Sequence, residues 1–435
     1  MKKSIQVITL LALSASIAYA QVPQHPNDQG CLVSSRDLTG PDSALIREQQ
    51  AFEKFTADFI QSGELEKSIA ANNCYVFPVV FHVYGTTQGG MPVNDSIIID
   101  AVNKLNIDFH GLNSDYNTVH NSFLGIRSYM PDVTFALAQI DPNGDPTTGI
   151  VYHPVAAGYA NSSGYDAAIE ADAWDNYMYM NIYIMNDLFN NGVTNNSGYG
   201  YYPSSTMSDN NTARIVYNGA YLGVNCNSWQ PEFASTLTHE YGHWLNLIHT
   251  FDGGCVSPND MVNDTPPCDY SNVHYGCHPN NTANSPLNCN NNLINAENYM
   301  DYAGAYGCYK MFTQGQVARM YAAVQHPSRQ PLWQTSNLIA TGLDQLCSTA
   351  GVNTYASSVC VVYPNPSHGT VHVQSPVAVS KAWVTDISGR EIYHYSPASN
   401  AEKTFSIDLT THSAGVYFLY IQQENSLQTY KLVIE

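Results

Sequence analysis

Three histidines and one glutamate crowd into a single stretch, HEYGHWLNLIHTF, at positions 239, 243, 249 and 240. Four residues are just over one helical turn. On an α-helix the imidazoles of His239 and His243 therefore project from the same face. Neutral imidazoles at that spacing suit Zn²⁺, and Glu240 between them is placed to act as general base on a water that the metal activates. His249, six residues further on, is a candidate third ligand. Three protein ligands leave one coordination position open, which a catalytic zinc needs. The chemistry these residue types imply is metal-assisted hydrolysis.

The elements that must hold them are also legible. Phe233, Leu237, Tyr241 and Trp244 follow a 4-4-3 spacing and make one apolar stripe along a helix that Pro231 can start. His239 and His243 lie roughly 100° or more from the centre of that stripe. They are not there to fill the core face. After the helix, the chain must turn back for His249 to reach its partners.

The stretch resembles HExxHxxGxxH, the zinc signature of the metzincin metallopeptidases. Asn246 stands where that signature has glycine; a left-handed backbone there favours Gly, with Asn the next most tolerant. NYMDYAGAYGCYKMFTQGQVARM, from Asn298 to Met320, is similar to the methionine turn that lies beneath the metal in that group. Taken with DMVNDTPP, from Asp260 to Pro267, these motifs resemble the pappalysin/cytophagalysin (ulilysin-like) branch over about residues 74–324. The resemblance implies an α+β metzincin-type fold, a mixed twisted sheet with an active-site helix above and a loop-rich lower lobe. It implies a zinc metalloendopeptidase with Met300 as the structural turn methionine and Tyr302 as a residue facing the metal to stabilise an oxyanion. Gly198, Tyr199, Gly200 and Tyr201 would belong to an edge strand that pairs with extended substrate, a mode of peptide binding by strand addition; the alternative is a plain edge strand blunted by Pro203. Asp260 and Asp264 are candidate Ca²⁺ ligands, with hydrated turn residues as the alternative. Cys31 is placed for a latency role in which its thiolate fills the open zinc position, or else for a disulfide, with Cys74 for example. Pairings Cys255–Cys289 and Cys277–Cys308 are carried by the resemblance alone.

The 435 residues carry 16 Lys+Arg against 36 Asp+Glu, a formal charge of −20. That balance argues against nucleic-acid binding and fits a soluble exported protein. Residues 1–20 read as a signal peptide: Lys2 and Lys3, a short apolar core, then Ala18-Tyr19-Ala20. No later run is long and apolar enough to span a bilayer. Residues 21–73 read as a propeptide with helical composition over 43–71. Residues 74–325 read as the catalytic domain, with strands expected at 75–84, 133–140, 177–185, 198–203 and 213–217, and helices at 95–109 and 314–324, the last capped by Thr313. His82 is expected to be a core histidine. Residues 326–359 lack periodicity and read as a partly ordered linker. Ten cysteines in an exported chain suggest disulfides rather than a four-cysteine zinc site, since no CxxC occurs. Cys268 is expected to pair with Cys226, and Cys347 with Cys360.

Residues 360–435 change to short alternating strands between turns, a small antiparallel sandwich. YPNPSHG, DISGR, GVYFLYI and the terminal KLVIE resemble the C-terminal sorting domain of the type IX secretion system of Bacteroidetes. The resemblance implies a Gram-negative secreted protein, released or held at the cell surface, with the secretion machinery and protein or peptide substrates as partners; a monomer is expected. A binding protein with a dead zinc fold and a zinc exopeptidase are the competing classes. An intact Glu240 argues against the first, and comparing blocked with free-ended peptides separates the second. Basic-specific relatives carry an acid just after the turn tyrosine, where this chain has Ala303-Gly304-Ala305. We therefore expect small or apolar residues to be favoured after the scissile bond. A peptide-library profile dominated by Arg or Lys there would refute this.

Overall fold

The computed structural model describes residues 43–65, 67, 74–161, 164–228, 231–255, 259–269, 287, 290–302, 308–347, 360–363, 367–375, 378–386, 390–396, 403–423 and 427–434. Cys31, the Ala303–Ala305 stretch and residues 1–20 lie outside them.

YVFPVVFHVY has aromatic or β-branched residues at nearly every position, so neither face is polar and the strand must be covered on both sides. It forms β1 (Tyr75–Tyr84), buried along its whole length. Around it a mixed sheet is built from β2 (Val133–Leu137), β3 (Ile150–His153), β4 (Met180–Ile184), β5 (Gly198–Gly200) and β6 (Ile215–Tyr217). The order is β2-β1-β4-β6-β5, with β3 pairing along the second half of β1. All neighbours are parallel except β5, which lies antiparallel at the edge. The expected strands are thus present, but each except β1 is shorter than its apolar run, because the run ends continue into loops.

Odd-numbered residues of β1 face two helices and even-numbered ones the other side. Phe77, Val79, Phe81 and Val83 share one core with α2 (Asp95–Phe109) and α3 (Thr236–Trp244). On α2, Ile98, Val102, Leu105 and Phe109 recur at helical spacing and are buried. Asn94 caps it by accepting from the Ile97 amide at 3.2 Å. On α3, Leu237, Tyr241 and Trp244 enter the same core, along with Phe233 from the 3₁₀ turn Pro231–Ser235 that precedes the helix. On the opposite face His82 is fully buried and linked at 3.0 Å to Asn181 Oδ1 and to His153 Nε2, as a core histidine should be.

Three sequence expectations are corrected. Residues 326–347 are not linker: they form the 3₁₀ turn Gln330–Trp333 and the helix Thr335–Ala340, and Leu332, Leu338 and Leu343 are buried, the last two against Val76 of β1. Their elements are one or two turns long, too short to show a period. Cys347 is bonded to Cys74, with Cα atoms 5.6 Å apart, and not to Cys360. Packing this segment onto the start of β1 brings the two sulfurs within bonding reach. Cys226 and Cys268, expected as a pair, are both free and buried. Cys255 and Cys308 are disulfide-bonded; their expected partners lie outside the described residues.

Of the 43–71 expected to be helical, Ser43–Gln61 form helix α1, Glu64, Leu65 and Lys67 are helical again after a turn, and 66 and 68–71 lie outside the described residues; α1 lies along α4 (Gln314–Gln325) with Phe52 and Phe59 in the main core. α4 starts with a full capping box between Thr313 and Gln316. The C-terminal region is a separate sandwich of strands Val361–Tyr363, Thr370–Gln374 and Thr404–Asp408 against Glu391–Tyr395, Val379–Asp386, Gly415–Gln423 and Leu427–Ile434, all antiparallel. Val371, Val373 and Ile407 from one sheet meet Val384, Leu419, Ile421 and Leu432 from the other. No helix among the described residues is long and apolar enough to cross a membrane.

The Phe77 ring sits between Phe135 and Trp244, centroids 5.6 and 5.4 Å away, and joins the sheet to the histidine-bearing helix. Phe77→Ala should cost about 3–5 kcal/mol of stability, read as a lower midpoint in urea unfolding.

Candidate metal centre and active site

His239 and His243 lie on α3 and His249 on the chain returning from it. All three are buried. Their Nε2 atoms converge to 3.1 Å (239 to 243), 3.1 Å (243 to 249) and 3.2 Å (239 to 249). These contacts are not ordinary hydrogen bonds. The Nδ1–H of His239 donates to the Tyr299 carbonyl at 2.6 Å, and that of His243 to the Leu247 carbonyl at 2.7 Å. A carbonyl only accepts, so each of these rings carries its proton on Nδ1 and turns a bare lone pair inward. Nδ1 of His249 faces the Asp252 carboxylate at 3.4 Å. Burial, then the neighbouring imidazoles, hold His239 and His243 well below the usual histidine range, so both rings are neutral at pH 7.

Lone pairs crowded together in a buried site need a cation. For a tetrahedral zinc with Zn–N of about 2.0–2.1 Å, ligand nitrogens stand about 3.3 Å apart. The observed triangle fits, and it is the one such cluster of three or more His, Cys, Asp or Glu among the described residues. The Nδ1 partners are the outer-shell acceptors that fix tautomer and ring orientation in histidine metal sites.

The turn that delivers His249 is the left-handed one the sequence called for. Asn246 has φ 70°, and the Leu247 amide donates back to the Gly242 carbonyl at 2.8 Å. Met300 is fully buried beneath α3, with its sulfur against the space a Cβ on Gly242 would occupy. The Thr250 amide donates to the Met300 carbonyl at 3.2 Å, fastening the His249 strand to the methionine turn. Tyr302 packs its ring on His249 and Phe251, with centroids 4.9 and 4.8 Å away.

Several residues hold this assembly in ways the sequence does not show, among them Asn298 and Tyr202, which it does not single out, and Asp260 and Asp264, which it offers as calcium ligands. Asn298 and Gln316 exchange amide hydrogen bonds of 2.8 and 3.0 Å, and Asn298 Oδ1 also accepts from the Met300 amide. The capping residue of α4 therefore sets the methionine turn as well. Tyr202 stands edge-on to His243, centroids 5.5 Å apart. Asp264 accepts from Thr313 Oγ1 and the Gly315 amide at the start of α4. Asp260 is buried, with Oδ1 accepting from Val262 and Thr265 and Oδ2 without a partner among the described residues. Burial pushes its carboxyl up to about 7. The side-chain pairs are long-range, and only the Thr313–Gln316 capping pattern has a local signal.

β5 lies against α3. A Cβ on Gly198 would stand 2.5 Å from Glu240 Oε1, and one on Gly200 2.5 Å from the Glu240 carbonyl and 3.2 Å from His243 Cβ. The glycines let the last strand of the sheet pass directly beside the carboxylate and the imidazoles.

A mixed sheet carrying a buried tri-histidine centre beside a glutamate and a sheet edge defines a metallopeptidase. The comparisons agree. The family model for peptidases described as Pregnancy-associated plasma protein-A matches residues 163–325, and the one described as Secretion system C-terminal sorting domain matches residues 361–435. An extracellular metalloprotease of Verticillium alfalfae is 30% identical over 278 residues, covering 61% of this chain and 80% of the relative. The structure is similar to Tannerella forsythia mature mirolysin in complex with a cleaved peptide, at 28% identity and TM-score 0.50, covering 62% of this chain and 98% of that one. It is also similar to a mutant of Tannerella forsythia promirolysin, at 26% identity and TM-score 0.53, covering 71% and 98%. The chain belongs to the pregnancy-associated plasma protein-A (pappalysin) family of metallopeptidases, and it is a secreted enzyme with a secretion-system sorting domain at its C-terminal end.

Gly198→Ala forces the flexible Glu240 side chain aside while leaving the imidazoles in place. Peptidase kcat should fall roughly ten- to a hundredfold with metal content unchanged, measured by steady-state kinetics beside metal analysis. Unchanged kcat would show that the carboxylate does not need this space.

Proposed function

We propose that His239, His243 and His249 hold one catalytic Zn²⁺ and that Glu240 is the general base of an endopeptidase acting on extracellular proteins. The observation that carries this is the convergence of three buried Nε2 atoms, with the protons of His239 and His243 tied away to backbone carbonyls. A bound Zn²⁺ supplies Lewis-acid chemistry, acidifying a water and polarising the scissile carbonyl. The Glu240 carboxylate takes the proton of the attacking water and passes it to the leaving amine. Tyr302, packed on His249, is read as a donor to the developing oxyanion. Gly198 to Tyr201 offer the edge of β5 to an extended substrate, whose backbone extends the sheet across the centre. That mature mirolysin, a structural relative, forms a complex with a cleaved peptide supports a peptide substrate. Met300 is structural.

In this reading residues 1–20 are removed on export and 21–73 form a pro-segment. The peptidase unit begins at 74, and the packing of 326–347 extends it to Cys347; residues 360–435 direct secretion. Similarity to promirolysin supports a precursor form, and Cys31 stays the candidate for its latency. A Ca²⁺ ion is the further cofactor considered; the unpartnered buried Oδ2 favours Asp260 over Asp264 as a ligand.

Glu240→Gln should retain metal but lose gelatin hydrolysis by roughly a hundred- to ten-thousandfold. Removing zinc with a chelator should abolish the wild-type activity and restoring zinc should return it. Hydrolysis by Glu240→Gln at the wild-type rate would overturn the assignment.

A further inference from the structure

Behind the histidine cluster, α1 and α4 meet over the turn that delivers His249. Arg319 of α4 is almost wholly buried, and its Nε and Nη2 donate to the Asn246 carbonyl at 3.3 and 3.1 Å. The same guanidinium makes a two-pronged pair with Glu53 of α1, Nη1 to Oε2 and Nη2 to Oε1, both 2.8 Å. Glu53 Oε1 also accepts from Asn246 Nδ2 at 3.4 Å. One cation and one carboxylate thus grip both polar ends of a single residue. That residue, at φ 70°, holds a left-handed conformation that non-glycine residues disfavour. It lies three residues before His249. A planar guanidinium matches this task because it serves a carbonyl and a carboxylate at once in fixed directions.

We infer that Arg319 is a positioning residue for the third histidine, and that Glu53 of the N-terminal helix acts through it to tighten the grip on the metal. Without the carboxylate, the buried guanidinium's side-chain hydrogen bonds among the described residues are those to the Asn246 carbonyl, with Asp260 acting on it through charge alone, and the turn loses the clamp that offsets its strain. Coupling is reciprocal: if docked α1 tightens the metal, bound metal tightens the docking of α1. The form of the chain that carries α1 is then the one that captures and keeps the metal, and loss of α1 loosens it. The inference rests on the reading that the three histidines hold the metal, but not on cleavage of the pro-segment.

A second contact of α1 supplies a control. Glu48 accepts from Ser204 Oγ at 2.9 Å and from the Ser205 and Thr206 amides, at the start of the short helix Ser205–Asp209. Losing it removes one contact while Phe52, Phe59 and Glu53 keep α1 docked, and it does not touch the Asn246 turn.

The test follows zinc transfer from the zinc-loaded full chain to 4-(2-pyridylazo)resorcinol, with circular dichroism confirming the fold. Glu53→Gln should release zinc about tenfold faster, and Glu48→Gln at close to the wild-type rate. Arg319→Gln should release it at least as fast as Glu53→Gln, and the double variant no faster than Arg319→Gln, because both act on one turn. Adding Asn246→Gly to Glu53→Gln should slow release again, since glycine takes this conformation without a clamp; this pair decides the matter if Arg319→Gln does not fold. A His249→Ala variant that keeps zinc as the wild type does would sink the histidine reading itself. If His249→Ala loses zinc while Glu53→Gln keeps it at the wild-type rate, or if Glu48→Gln loses it as fast as Glu53→Gln, the Arg319 route is wrong.

Discussion

Three imidazole lone pairs share one buried point, and without a cation that arrangement is repulsive. The rest of the larger unit is built around that constraint. The protons of His239 and His243 are drawn outward by the carbonyls of Tyr299 and Leu247, so neither ring can relieve the crowding by turning a proton inward. Those carbonyls belong to the methionine turn and to the left-handed turn after α3. Both turns are anchored to α4, one through Asn298 and Gln316, the other through Arg319. The helix that closes the lower lobe is in this sense the frame of the metal centre.

The same economy shows on the upper side. α3 is pinned to the sheet by Leu237, Tyr241 and Trp244, while its histidine face is left to the cleft. The sheet reaches that face through β5, whose two glycines remove the side chains that would otherwise separate strand from helix. In the proposed reading, an edge strand next to a hydrolytic centre is a direct way to hold an extended peptide.

How much of this was legible depended on sequence distance. β1 and α2 were readable to the residue, because their apolar patterns are local and unbroken. The histidines, Glu240 and the left-handed Asn246 come from one thirteen-residue stretch, and their spacing alone implied that they meet. Residues 326–347 were misread as linker because Leu332, Leu338 and Leu343 are spaced six and five apart, matching neither helix nor strand. Their burial is set by β1, far back in the chain. The Cys74–Cys347 bond and the Glu53–Arg319 pair span 273 and 266 residues, and nothing local marks either end. Cysteines in an exported chain suggest bonds, yet the fold leaves Cys226 and Cys268 as buried thiols.

The bond between Cys74 and Cys347 has a consequence for the durability of a peptidase among other peptidases. It joins the first residue before β1 to the last described residue of this unit, so the backbone between them is a covalent ring. A single cut anywhere inside the ring opens it without dividing it. The whole segment between α3 and α4, residues 245–313, lies within it. A molecule clipped there once stays one molecule until it meets a reductant, and its two pieces remain at each other's side to keep the fold.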